Sequence, residues 1–91
     1  MSVRVRIPTQ LRQLVDGQQE VSFDAANVRD LLKAIGQSHP ALVERIIDES
    51  GEIRRFINVF VGDEDVRFLD GLDTQIPDAA LVSILPAVAG G

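Results

Sequence analysis

The last five residues, Ala87-Val88-Ala89-Gly90-Gly91, carry no side chain able to act as acid, base, nucleophile or metal ligand. What they offer is a terminal α-carboxylate on two glycines. A carboxylate is a poor electrophile. To accept sulfur or an amine it must first become a mixed anhydride, such as an acyl-adenylate formed by attack on the α-phosphate of ATP. An enzyme performing that step must draw the terminus into a nucleotide site. A chain without Cβ atoms passes a slot of backbone width, and glycine adopts whatever φ and ψ the slot imposes. Five extended residues span roughly 17 Å, enough to enter a buried pocket while the rest of the chain stays outside. By itself the dipeptide is a weak signal: glycine is about 7% of average usage, so a terminal pair arises by chance in roughly one chain in two hundred. Its weight comes from the residues before it. Leu81-Val82-Ser83-Ile84-Leu85 reads as a strand and Pro86 as its end. The expected organisation is a domain over 1–86 and a flexible tail over 87–91 that leaves directly from a core strand.

The rest of the chain offers little for catalysis. His39 is the only histidine, without a partner for a metal site or a dyad, and a loop or capping role suits it better. There is no cysteine, which excludes disulfides, thiolate zinc sites and thiol nucleophiles. Asp48-Glu49-Ser50-Gly51-Glu52 reads as a solvated loop, and Gly62-Asp63-Glu64-Asp65 is too short for a calcium loop. No P-loop or dinucleotide fingerprint occurs. A paired-carboxylate hydrolase needs a cleft that perturbs its pKa values, and 91 residues leave little room for one. No cofactor of the chain's own is expected; ATP would be consumed by the enzyme that activates the tail.

Composition sets the frame for those residues. Hydrophobic content is 45% and charged content 25%, as in ordinary globular domains. With four Phe and neither Tyr nor Trp, the core must be built from Val, Ile and Leu. The net charge of −5 argues against nucleic acid, whose binding rests on cationic contacts to phosphate, and suits a partner with a basic face. No apolar run approaches the ~20 residues of a membrane span. Met1-Ser2-Val3-Arg4-Val5-Arg6 does not resemble a signal peptide, so a cytoplasmic location is expected.

The elements that must position the tail follow from periodicity. Val3, Val5 and Ile7 alternate with Ser2, Arg4 and Arg6, giving a strand with one apolar face, ended by Pro8. Arg4 and Arg6 offer either a binding stripe or, more simply, the wet side of the sheet. Thr9 to Val15 is amphipathic but too short to assign. Glu20 to Phe23 is a second strand, paired with the first as a hairpin. Val28, Leu31, Leu32 and Ile35 form one helical stripe, with Asn27 as N-cap, Asp30 at the positive end of the helix dipole, and Gly36 a place where the helix loosens. Pro40 opens a shorter helix that buries Leu42, Val43, Ile46 and Ile47. Phe56 to Val61 is a strand with Phe56, Asn58 and Phe60 on one face; Val66-Arg67-Phe68 is a short strand; Leu69 to Asp78 is turn-rich. In the final strand Val82 and Ile84 oppose Ser83 and Leu85. The first and last strands both read as central, parallel neighbours with the main helix across one face. That is an α+β roll of the β-grasp type, with a mixed sheet.

Order of elements and terminus together resemble the ubiquitin-like sulfur carriers of the MoaD/ThiS/CysO family. The resemblance covers essentially the whole chain. It runs from the opening strand into Ile7-Pro8-Thr9, through Arg55-Phe56-Ile57-Asn58-Val59-Phe60-Val61 and Asp63-Glu64-Asp65-Val66-Arg67-Phe68, and is strongest at Ile84-Leu85-Pro86-Ala87-Val88-Ala89-Gly90-Gly91. The CysO type, the carrier for cysteine synthesis, looks most similar. The resemblance implies a β-grasp, ubiquitin-like fold and a chain that is a substrate, not an enzyme. It implies that Gly91 is adenylated by a partner of the ubiquitin-activating type and then becomes a thiocarboxylate, with Gly90 giving clearance in the slot and Ala87, Val88 and Ala89 lining the partner's channel. For a CysO-like carrier the thiocarboxylate would meet an aminoacrylate on a PLP-dependent cysteine synthase, and a tail-cleaving metalloprotease would release cysteine. For a MoaD-like carrier the acceptor would be a molybdopterin precursor on the large subunit of molybdopterin synthase. A protein modifier joined through Gly91 to lysines, and a plain β-grasp interaction module, are the other readings. Alternation places Phe60 and Leu85 away from the helices as an apolar patch for the partner, although an aromatic on a strand is more often core. The family commonly has an Asp-Gly-type turn before the last strand; Pro77-Asp78-Ala79-Ala80 stands there without a glycine.

Overall fold

In the computed structural model residues 2–86 are described. β1 (Ser2–Arg6) buries Val3 and Val5 completely and leaves Ser2, Arg4 and Arg6 exposed, as a period-two strand must. It pairs antiparallel with β2 (Glu20–Asp24), Val5 opposite Val21. The connection between them contains a 3-10 helix, Thr9–Val15, which buries Leu11 and Val15 and ends at Asp16 in the left-handed region. The amphipathic stretch that sequence left open is thus a cap on one end of the core.

The main helix, α1 (Val28–Ser38), buries Val28, Leu31, Leu32 and Ile35. Its start is fixed by Asn27, whose Oδ1 accepts the Asp30 amide at 2.8 Å, while the Asn27 side-chain amide donates to Asp30 Oδ2 at 3.3 Å. One orphan amide of the first turn is thereby satisfied, and the side-chain pair holds the cap in place. Gly36 does not loosen the helix, which runs on to Ser38. The His39 amide then donates to the Ile35 carbonyl, and Pro40 opens α2 (Pro40–Ile46) at a position where its missing N–H is no loss. His39 sits between the two helices, and its side chain makes no capping bond.

β3 (Ile57–Val61) begins one residue later than expected; Phe56 belongs to the preceding turn and is 60% exposed. β4 is Glu64–Asp65, paired antiparallel with β3. The expected strand at Val66-Arg67-Phe68 is instead a 3-10 turn. Asp65 Oδ1 accepts the Arg67 amide at 2.9 Å and so draws the backbone off the ladder, with Val66 driven into the core and Phe68 left 87% exposed. A second 3-10 turn, Gly71–Asp73, leads to Thr74 and Ile76. Their segment is stitched to the loop before α1, by the Val28 amide on the Thr74 carbonyl and the Ile76 amide on the Ala26 carbonyl. Buried Thr74 donates its hydroxyl to the Gly71 carbonyl at 2.8 Å and accepts the Asp70 amide at 3.1 Å.

β5 (Leu81–Pro86) completes the sheet, in the order β2-β1-β5-β3-β4. It is parallel to β1, with Val82 beside Val5, and antiparallel to β3, with Ile84 opposite Val59. Pro86 does not precede the strand's end but forms it, opposite Ile57. The first and last strands are therefore interior, parallel neighbours, as alternation implied, with β3 the third interior strand. The apolar faces of β1, β3 and β5 meet α1, α2 and the 3-10 segments in one aliphatic core. The turn before β5 is made without glycine: Ala79 itself takes the left-handed conformation, φ +64°. No helix among the described residues is long and apolar enough to cross a membrane.

Candidate functional site

The tail residues singled out in the sequence, Ala87, Val88, Ala89, Gly90 and Gly91, lie outside the described residues, as does the proposed tail division after residue 86. The structure instead defines the place from which they depart. β5 pairs with β1 from Leu81 to Ser83 on one edge and with β3 on the other. The Arg4 amide donates to the Ala80 carbonyl at 3.2 Å just before it, and the Gly62 amide donates to the Leu81 carbonyl at 2.9 Å at its start. Pairing with β3 continues to the final residue. Pro86 is thus a fixed point, and whatever follows it begins at one end of a rigid sheet.

On the sheet face turned away from the helices, β5 presents Leu81, Ser83 and Leu85, and β3 presents Asn58 and Phe60. Leu85 is 45% exposed. Phe60 is half-buried and faces Ser83, diagonal to Leu85. The two residues that alternation placed on this face are both there, one well exposed and one partly covered. Farther across the same face Arg4 and Arg6 both approach the Glu20 carboxylate, at 3.8 and 3.6 Å. These are exposed pairs, worth little to stability, and they fit the wet-side reading of that strand.

Two grooves meet at Pro86. On the β1 side the lining runs through Arg6, Pro8, Arg12 and Leu85; on the β3 side through Arg45, Arg54, Arg55 and Phe56. Backbone carbonyls orient two of these guanidinium groups: Arg12 Nε donates to Ile7 at 3.1 Å, and Arg54 Nε to Glu44 at 2.9 Å. Arg55 lies over the Phe56 ring, 5.8 Å from its centroid, within reach of a cation–π contact. Asp48 also borders the β3-side groove, and its carboxylate is held below the usual range. The Ser50 hydroxyl donates to it at 2.7 Å, and the Ser50 and Glu52 amides and the nearby Arg54 charge add to the effect. The arginines around Pro86 come from four separate elements, and of them the sequence singles out Arg6 alone.

At Pro86 the end of a rigid sheet, a sheet face with a partly exposed apolar centre and several arginine side chains lie close together. No acid, base and nucleophile converge there, and no group of three or more His, Asp or Glu among the described residues is placed to hold a metal ion.

Comparison with known proteins places the whole chain in a family. The family model described as the ThiS family matches residues 5–91. The chain is 44% identical over 93 residues to "Sulfur carrier protein CysO" of Mycobacterium tuberculosis, covering 100% of both chains. It is 34% identical over 94 residues to "Small archaeal modifier protein 3" of Haloferax volcanii, again with 100% of both covered. Among solved structures it superimposes on a chain of the BexX/CysO complex of Amycolatopsis orientalis with a TM-score of 0.90 and 42% identity, covering 98% of this chain and 99% of that one.

Proposed function

The chain belongs to the ThiS family, and from that premise we propose that it is a sulfur carrier that bears sulfur as a thiocarboxylate on Gly91 for cysteine biosynthesis. The observation that carries this reading is the end-to-end match to a CysO sulfur carrier at 44% identity. The placement of Pro86 at the free end of a central strand supports it.

The chemistry divides between this chain and its partners. A carboxylate oxygen of Gly91 attacks the α-phosphate of ATP in an adenylating enzyme of the ubiquitin-activating type, and pyrophosphate leaves. A sulfur donor then attacks the acyl carbon and AMP leaves, which gives the thiocarboxylate. Its sulfur is a good nucleophile near neutral pH, and the acceptor is an aminoacrylate held by a PLP-dependent cysteine synthase. The thioester so formed would pass by S-to-N acyl shift to the cysteine amine, and a metalloprotease hydrolysing the resulting amide would release cysteine and return the Gly91 carboxylate. The chain itself supplies no catalytic group and binds no cofactor. Gly90 gives the backbone clearance the slot demands, Ala87 to Ala89 occupy the channel, and Phe60 with Leu85 meets the partner's apolar surface. Because ATP and the synthase are cytoplasmic reagents, the carrier works in the cytoplasm.

The test is the intact mass of the protein from its own cells, with fragmentation of the C-terminus. Replacement of oxygen by sulfur at Gly91, trapped by a thiol-selective alkylating agent, is the expected result. Oxidation of Met1 mimics that nominal shift, so the added mass must be located at Gly91. An unmodified Gly91 after incubation with ATP, sulfide and the host's adenylating enzymes would sink the carrier reading. The match to an archaeal modifier protein favours one second reading, conjugation of Gly91 to lysines of other proteins. It predicts isopeptide-linked Gly91 in the same spectra.

A further inference from the structure

The net charge of −5 is not spread evenly. The two grooves that meet at Pro86 are lined by Arg6, Arg12, Arg45, Arg54 and Arg55, five of the chain's nine Lys and Arg residues. The same grooves hold two of its fourteen carboxylates, Glu44 and Asp48. The end of the molecule from which the tail departs is therefore basic, and the remainder is strongly acidic. Net charge alone suited a partner with a basic face; at this end the chain's own side chains carry the opposite sign.

Among the described residues, only Arg6 of these five has an ion-pair partner, the Glu20 carboxylate at 3.6 Å. Among the described residues, Arg45 and Arg55 make no ion pair. Arg12 and Arg54 each give one N–H of five to a backbone carbonyl, which orients the group without neutralising it. Asp48, which feels the Arg54 charge, takes its hydrogen bonds from Ser50 and Glu52 and makes no ion pair with the collar. Any protein that takes in the chain beyond Pro86 must bring the mouth of its slot against this ring of guanidinium groups.

We propose that this arginine collar docks on an acidic rim around the tail slot of the adenylating enzyme. The proposal rests on the carrier reading and adds the sign of the surface that receives it. Complementary charge acts mainly on encounter and register. A collar of one sign on a body of the other makes the carrier a dipole that approaches an acidic slot tail first.

The test uses the full chain and the host adenylating enzyme that supports ATP–pyrophosphate exchange with it. Arg45→Glu with Arg55→Glu reverses two collar charges without removing a backbone contact. Arg29→Glu with Lys33→Glu changes net charge equally on α1, away from Pro86, and serves as control. At low ionic strength the collar variant should show a KM for the carrier raised about tenfold or more with kcat unchanged, and the control less than about twofold. Wild-type KM should rise with NaCl, and that of the collar variant should be nearly flat. Equal KM values for the two variants, or a wild-type KM indifferent to salt, would overturn the collar while leaving the carrier reading intact. No exchange with wild-type chain by any adenylating enzyme of the host would remove the carrier reading and the collar with it. Saturable binding of a fluorescein-labelled single-stranded oligonucleotide, lost in the collar variant, would reassign this surface to nucleic acid and overturn the proposal.

Discussion

Ala79 holds the turn that feeds β5 at φ +64°, a conformation that costs an L-residue roughly 1–2 kcal/mol. Its neighbours over-determine it. The Ala79 amide donates to the Ser2 carbonyl at 2.9 Å, the Ala80 amide to the Pro77 carbonyl at 3.1 Å, and the Ser2 amide to Asp78 Oδ1 at 3.1 Å. The turn thus ties the start of β5 to the start of β1, and the strain is retained because the hydrogen bonds leave no alternative. Ala79→Gly should raise stability by about 0.5–1 kcal/mol, the relief of the Cβ contact being partly offset by greater freedom in the unfolded chain. Urea denaturation would show this as a higher midpoint at unchanged slope. A lowered midpoint would mean that the turn is not strained. The missing glycine was visible in the sequence, but its conformational answer was not, since the long-range bonds that force it come from residues more than seventy positions away.

At the scale of elements, periodicity located α1, α2, β1, β2, β3 and β5 because each has a buried stripe, and it missed the two-residue β4, whose Glu64-Asp65 reads as a turn. It failed where a side chain competes with the backbone. Val66-Arg67-Phe68 alternates like a strand, yet Asp65 captures the Arg67 amide and turns the chain. Arg67 then reaches back, its Nη1 to Asn58 Oδ1 at 2.8 Å and its Nη2 to the Arg54 carbonyl at 2.6 Å, which holds the turn against β3. Gly36 went the other way. It looked like a helix breaker, but His39 and Pro40 set the boundary and the glycine lies inside α1, facing α2. A Cβ built there would meet Val43 Cγ2 at 3.6 Å, an ordinary contact. Gly36→Ala should therefore stabilise by up to about 1 kcal/mol through helix propensity alone. Thermal melting at constant pH would register it as an upward shift of a few degrees. A fall in melting temperature would show that the two helices need the closer approach.

For the molecule as a whole, alternation and the order of elements were enough to place β1 and β5 as parallel central neighbours. They did not reveal the basic end, because a sum of charges has no geometry. Arg12, Arg45 and Arg54 are brought to one place only by the packing of the 3-10 helix, α2 and the loop before β3 around the end of β5. Central strands should also be the last to open. Native-state hydrogen exchange should find the ladder amides of β1 and β5 exchanging only through global unfolding, and those of β4 and residues 66–68 through local opening. Equal protection across the sheet would contradict that hierarchy. The bonding of β5 on both edges has a mechanical meaning for anything that hauls on residues beyond Pro86. Such a pull runs along the strand axis and loads both ladders in shear, so their bonds bear it together and cannot be unzipped one by one. An enzyme tugging on the tail would hold a tether that resists and a body that stays folded.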